Sequence, residues 1–154
     1  MALYYLSLFE KVFLTILLSS IIGFERELNR KGAGLRTHIL VSVGSALIVL
    51  TSFHVFDTYR DVTVIDPTRM IAGVVTGIGF LCAGTIIRGG DNITGLTTAA
   101  SLWIVSCIGM AVGAGLFVAA IFVTLVVFFV LIGVGSIERI YNDKNKVRRP
   151  KHGN

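Results

Sequence analysis

Long apolar runs, broken by short clusters of charge and glycine, dominate the chain. Residues 3–24 form the first run, interrupted by Glu10-Lys11; residues 37–56 form the second and 70–87 the third. A helix that crosses a bilayer needs roughly 20 predominantly apolar residues, and each run approaches that length. No residue between Asp91 and Glu138 carries a formal charge. One helix over 97–137 would be about 60 Å long, about twice the hydrocarbon core, so this stretch must turn. Gly109, Gly113 and Gly115 mark where a turn is least costly. The pattern therefore predicts a fourth span near 97–113 and a fifth near 116–136. Asp66-Pro67 reads as an N-cap followed by proline in the first helical position, opening the third helix. The predicted fold is all-α: a polytopic membrane bundle of five transmembrane helices over 1–137, followed by a basic tail over 138–154.

Composition agrees with lipid as the solvent. Hydrophobic residues make up 54% of the 154 and charged residues 15%, against roughly 25% in an average soluble domain. Mean hydropathy is +0.81. The formal charge is +5, and much of the excess is local: Arg139, Lys144, Lys146, Arg148, Arg149 and Lys151 follow the last apolar run. Such a tail suits anionic headgroups of the bilayer. No aromatic residue beyond Tyr141 interleaves with these cations, so nucleic acid is not an expected partner. Five spans would put the tail on the same side as the 25–36 and 88–96 loops, which hold Arg26, Arg30, Lys31, Arg36 and Arg88. The 57–69 loop holds Arg60 and Arg69 against Asp57, Asp61 and Asp66. The positive-inside rule then predicts a cytoplasmic tail and an external N-terminus. No cleavable signal peptide is expected, because the first run lacks a basic n-region and leads into Glu25-Arg26-Glu27. Glu10-Lys11 reads either as the outer end of a span that starts near Val12 or as an intramembrane polar pair. The interfacial look of Tyr4 and Tyr5 favours the first.

Two clusters could carry chemistry. The first is Gly23-Phe-Glu-Arg-Glu-Leu-Asn-Arg-Lys-Gly-Ala-Gly-Leu-Arg-Thr-His38. One reading is a solvated loop in which Arg26 and Arg30, and Glu27 and Arg30, are helical neighbours. The other has Glu25 packed inward and paired with Arg36 or another cation, since ionisable groups near the membrane are costly unless paired. The second cluster runs from Thr76 through Gly77, Gly79 and Gly84 to Arg88-Gly-Gly-Asp-Asn-Ile-Thr-Gly-Leu-Thr-Thr98. It is not a phosphate loop: no lysine follows, and the setting is a membrane span. Gly73, Gly77, Gly79, Gly84, Gly109 and Gly113 read instead as helix-packing positions, because small residues at i,i+4 let helices approach closely. The 88–96 loop is either a plain turn or one wall of a hydrated site. In that site Asp91, Asn92, Thr97 and Thr98 would converge with Glu25, Arg26, Arg36 and Thr37 at the free N–H groups of the fourth helix. Cys82 and Cys107 read as small buried hydrophobes. No Ser-His-Asp, Cys-His or zinc spacing occurs, so neither an enzyme nor a cofactor is expected.

Gly23-Phe-Glu-Arg-Glu, Ala33-Gly-Leu-Arg-Thr-His, Gly77-Ile-Gly-Phe-Leu-Cys-Ala-Gly-Thr and Gly95-Leu-Thr-Thr-Ala-Ala-Ser-Leu-Trp103 together resemble the bacterial MgtC/SapB family of inner-membrane proteins over roughly residues 10–135. The resemblance implies five spans with the C-terminus inside, and a link to magnesium homeostasis, growth at low magnesium and survival of pathogens in host cells. Longer members add a soluble cytoplasmic domain, and this chain is expected to be a short form without it. The function expected is non-enzymatic. It would act through membrane-helix contacts with a second copy, a dimer being the favoured homo-oligomer, or with another membrane protein. The alternative is a small transporter or channel that moves Mg²⁺ as an oligomer.

Overall fold

The computed structural model describes the backbone of residues 2–90 and 92–147 and the side chains of 6–90 and 92–133. Within them lie five helices: α1 (Ala2–Leu28), α2 (Leu35–Tyr59), α3 (Thr68–Gly84), α4 (Leu96–Gly113) and α5 (Phe117–Val147). They fall where the apolar runs predict them. Three, Leu6–Leu28 within α1, Leu35–Tyr59 and Leu96–Gly113, are long and apolar enough to cross a membrane; Thr68–Gly84 and Phe117–Gly133 are shorter apolar helices. The basic tail expected over 138–154 falls outside the described side chains.

Helix α4 is the centre of the bundle and packs against α1, α2, α3 and α5. Leu18 and Ile22 of α1, Val105, Ile108 and Val112 of α4, and Ala120 of α5 form one apolar cluster. Ala33, Ile78, Cys82, Ala99 and Leu102 form a second, on the α3 side. The tightest seam runs between α2 and α4. A Cβ at Gly109 would lie 2.1 Å from the Ser42 carbonyl oxygen, and one at Gly113 would lie 2.9 Å from that of Ala46. These two glycines let the backbones meet, as their i,i+4 spacing predicts. The facing stripe of α2 is His38, Ser42, Ser45, Ala46, Val49 and Ser52, all buried. The same expectation for Gly73, Gly77, Gly79 and Gly84 has no counterpart within the chain. A Cβ at any of them meets nothing within 4 Å, because α3 turns only Ile78 and Cys82 inward.

Two further glycines, Gly95 and Gly115, serve the connections. Helix α4 ends in a Schellman turn: Leu116 N–H donates to Ala111 and Gly115 N–H to Val112, with Gly115 at φ 84°. Gly115 thus makes the turn, while Gly109 and Gly113 serve the seam. Helix α1 ends in the same motif, Lys31 N–H on Arg26 and Arg30 N–H on Glu27, but the left-handed residue is Arg30 at φ 48°. The helical pairings of Arg30 with Arg26 and Glu27 therefore do not form: the helix has stopped at Leu28. The 88–96 segment is a β-hairpin rather than a loop. β1 (Ile87–Gly89) pairs antiparallel with β2 (Asn92–Thr94), Ile87 facing Thr94 and Gly89 facing Asn92. The third apolar run thus ends as helix at Gly84, three residues before its predicted limit. Gly95, at φ 89°, sits so close to the Thr85 carbonyl that a Cβ there would lie 1.9 Å from its oxygen.

Side chains finish the helix ends. Asp66 Oδ1 accepts from the Thr68 hydroxyl at 2.6 Å and the Thr68 N–H at 2.9 Å; the cap position itself is Pro67, one residue later than the sequence suggests. These bonds hold the Asp66 carboxyl below the usual carboxylate range, so the start of α3 is secured at neutral pH and loosens in acid. Lys11 Nζ donates to the Gly113 carbonyl at 3.0 Å, a cation on the last turn of α4. Glu10 beside it is exposed. Both residues lie inside α1, within the apolar stretch Leu6–Leu28, rather than ahead of a span that starts near Val12.

Two outcomes are expected. Gly109→Ala must push α2 and α4 apart and should cost about 1–3 kcal/mol, whereas Gly77→Ala should stay within about 0.5 kcal/mol of the parent. Arg30→Gly removes a left-handed non-glycine and should add about 0.5–1 kcal/mol. Thermal unfolding of the purified chain in detergent checks both; a Gly109→Ala melt equal to the parent's would remove the tight seam.

Candidate functional site

The motif Gly23-Phe-Glu-Arg-Glu27 divides its work residue by residue. Gly23 lets α1 cross α2: a Cβ there would lie 2.9 Å from Leu35 Cα and 3.0 Å from His38 Cβ. Glu27 reaches across the connection, and its Oε2 accepts the Leu35 N–H at 2.9 Å, placing a carboxylate at the positive end of α2. Gly34 leaves the space for that carboxylate, since a Cβ would fall 1.8 Å from the same oxygen. Glu25 and Arg26 turn inward between these two and are 8% and 3% exposed.

Together they open a polar junction where α1 ends and α2 and α4 begin. Asn29 Nδ2 donates to Glu25 Oε1 at 2.6 Å and to the Glu25 carbonyl at 3.0 Å. Arg26 Nη2 donates to Thr98 Oγ1 at 3.0 Å. Arg26 lies in the last turn of α1, where free carbonyls favour a cation. His38, fully buried, sits within the junction: Nδ1 is 2.8 Å from the Gly34 carbonyl and Nε2 is 3.0 Å from Ser101 Oγ. Ser101 Oγ is 2.9 Å from the Thr98 carbonyl. One and two turns further along α2, Ser42 is buried and Ser45 bonds Ser106 at 2.8 Å. Glu25 Oε2, Arg26 Nε and Ser42 Oγ are buried with no hydrogen-bond partner among the described residues.

Of the residues expected to converge, Glu25, Arg26 and Thr98 do. Arg36 does not: it is exposed in the first turn of α2, and the ion pairs found among the described residues are those of Arg60 with Asp57 and Asp61. In place of the expected Glu25–Arg36 pair, Glu25 is bonded by Asn29 and Arg26 by Thr98, and no ion pair of Glu25 occurs among the described residues. Thr37 is half-buried, while Thr97 and Asn92 are exposed; Asp91 lies outside the described residues. Thr97 points away because consecutive helical residues diverge by about 100°. Asn29, His38 and Ser101 belong to the junction although their pattern did not single them out. Their signal was periodic: His38, Ser42, Ser45, Val49 and Ser52 follow the 4-3-4-3 spacing of a helix-contact stripe, and Ser101 stands one turn after Thr98. Among the described residues no group of three His, Cys, Asp or Glu side chains converges on a common point.

Apolar helices wrapped around one buried polar junction define a helical membrane protein. The MgtC family model matches residues 12–140, and the chain belongs to the MgtC family. YhiD of Escherichia coli K12, named a candidate magnesium transporter, is 45% identical over 112 residues, covering 71% of this chain and 52% of YhiD. A protein of Haemophilus influenzae is 36% identical over 151 residues, 96% of this chain and 63% of its own length. The protein MgtC of Brucella abortus is 47% identical over 100 residues, 65% of this chain and 40% of that protein. The chain thus spans about half the length of the curated relatives it matches. No solved structure matches it.

Arg26→Gln would remove the buried guanidinium that bonds Thr98 and should destabilise the chain by about 1–3 kcal/mol. Arg36→Gln, on the exposed side of α2, should change stability by less than about 0.5 kcal/mol. Chemical unfolding of both variants in the same detergent compares them directly; equal effects would contradict the assignment of the inward cation.

Proposed function

We propose that the chain is a multi-pass inner-membrane protein of five spans, with its N-terminus outside and its tail in the cytoplasm. In this reading it serves magnesium homeostasis or adaptation to low magnesium, without enzymatic activity. It acts through helix contacts with a second copy or with another membrane protein. Family membership and the name of YhiD support the link to magnesium. The charge distribution supports the orientation, because Arg26, Arg30, Lys31, Arg36, Arg88 and the tail cations outweigh Arg60 and Arg69.

One observation favours a contact protein over a carrier of the ion. Among the described residues the buried junction holds a single carboxylate, Glu25, and the next residue, Arg26, is a buried cation. Mg²⁺ releases its waters reluctantly and is usually held by carboxylates, and a neighbouring buried cation opposes a dication. The second reading, an oligomer that moves Mg²⁺ itself, draws on the name of YhiD.

Purified chain in liposomes loaded with a fluorescent magnesium indicator separates the two. Flux no greater than in protein-free liposomes is expected, together with growth at low magnesium that depends on the chain and is lost in Arg26→Gln. Flux that scales with the protein present would establish the carrier reading. For orientation, single cysteines at positions 57 and 145, in a background lacking Cys82 and Cys107, should react with an impermeant thiol reagent on spheroplasts at 57 and not at 145. The reverse pattern would invert the orientation.

A further inference from the structure

We propose that the junction of α1, α2 and α4 is a proton-binding site. Nε2 of His38 takes the proton, and Ser101 carries the change to α4. The Gly34 carbonyl can only accept, so Nδ1 at 2.8 Å bears a hydrogen whether the ring is neutral or charged. Nε2 lies 3.0 Å from Ser101 Oγ, and that oxygen lies 2.9 Å from the Thr98 carbonyl. The serine hydroxyl has one hydrogen to give. While the ring is neutral, Nε2 and the Thr98 carbonyl compete for it, and one of the two contacts holds no hydrogen.

Protonation removes the competition. A hydronium ion gives its proton to the Nε2 lone pair and leaves as water. Nε2–H then donates to Ser101 Oγ, and the Ser101 hydroxyl donates to the Thr98 carbonyl. Every contact from Gly34 through His38 and Ser101 to Thr98 now holds a hydrogen, in one directed chain from the start of α2 into α4. A proton on Glu25 Oε2 would achieve less, turning an acceptor without a partner into a donor without one.

The charged neighbours give the site its balance. On α1, Glu25 and Arg26 bring opposite charges into the junction, both buried. Helix α4 presents the hydroxyls of Thr98 and Ser101. Helix α3 contributes Cys82, whose thiol is engaged with the Ala99 carbonyl. On the connection and on α2, Lys31 and Arg36 are exposed. The inference rests on this geometry and is independent of the magnesium reading.

Histidine-selective ¹⁵N NMR of the full chain in magnesium-free detergent micelles tests it, with His38 assigned by its loss in His38→Gln. The His38 ring is expected to pass from the Nδ1–H tautomer to the imidazolium as the pH is lowered from about 8.5 to about 4.5. Ser101→Ala removes the acceptor for Nε2–H and should lower the midpoint by about 0.5–1 pH unit, one hydrogen bond's worth. Glu25→Gln should lower it by about 1–3 units. A ring that stays neutral throughout, or a midpoint that Ser101→Ala leaves unmoved, overturns the proposal. Ser101→Ala loses only a hydroxyl, so it carries the test should Glu25→Gln fail to fold.

Discussion

Everything in this bundle hangs on how closely α2 can lie against α4. Lipid tails are as apolar as leucine, so burying leucine between two helices gains little in a membrane; close packing and hydrogen bonds must hold them instead. Gly109 and Gly113 remove the atoms that would keep the backbones apart, and Ser42 and Ala46 present small side chains to them. The approach brings Ser45 to Ser106 and His38 to Ser101, polar contacts that a wider seam would break. The apolar clusters on either side of α4 then fill the space that this seam defines.

The polar junction follows from the same geometry. With α2 held against α4, the start of α2 lies beside the start of α4, and the end of α1 closes over both. Charges brought there leave water, and each needs compensation. Arg26 is answered by Thr98 and the last turn of α1 and Glu25 by Asn29, while Glu27 stays exposed and caps the first turn of α2. His38 is held from both sides, by a carbonyl of its own helix and a hydroxyl of the next. A cluster that reads along the chain as a basic loop is, in three dimensions, partly an interior. Arg30, Lys31 and Arg36 remain on its solvent side.

Function attaches to this junction more readily than to the hairpin between α3 and α4. Asn92 and Arg88 stand exposed on a two-stranded ribbon of three-residue strands, without the convergence that a binding site requires. Helix α3, open along the faces that carry Gly73, Gly77 and Gly84, is the least enclosed helix whose side chains are described throughout. The glycines of this chain therefore do different work: some make a seam, some make turns, and those of α3 touch nothing in their own chain.

The sequence by itself determined the helices and their places. Apolar runs of near-span length, an uncharged stretch too long for one helix, and caps such as Asp66 are local properties, and local physics decides them. It also pointed to Glu25 as inward-facing, because charge at the edge of an apolar run must find a partner, with Arg36 or another cation as that partner. Only the tertiary structure decided which partners. Whether Arg26 or Arg36 turns inward depends on where α1 stops and how α2 is rotated about its axis. A left-handed residue at Arg30 and a carboxylate from Glu27 set both. The same rotation gave His38 to Ser101 and gave the two seam glycines to α2 rather than to a turn. Spacing along a chain gives the face of a helix, but not the neighbour that face will meet.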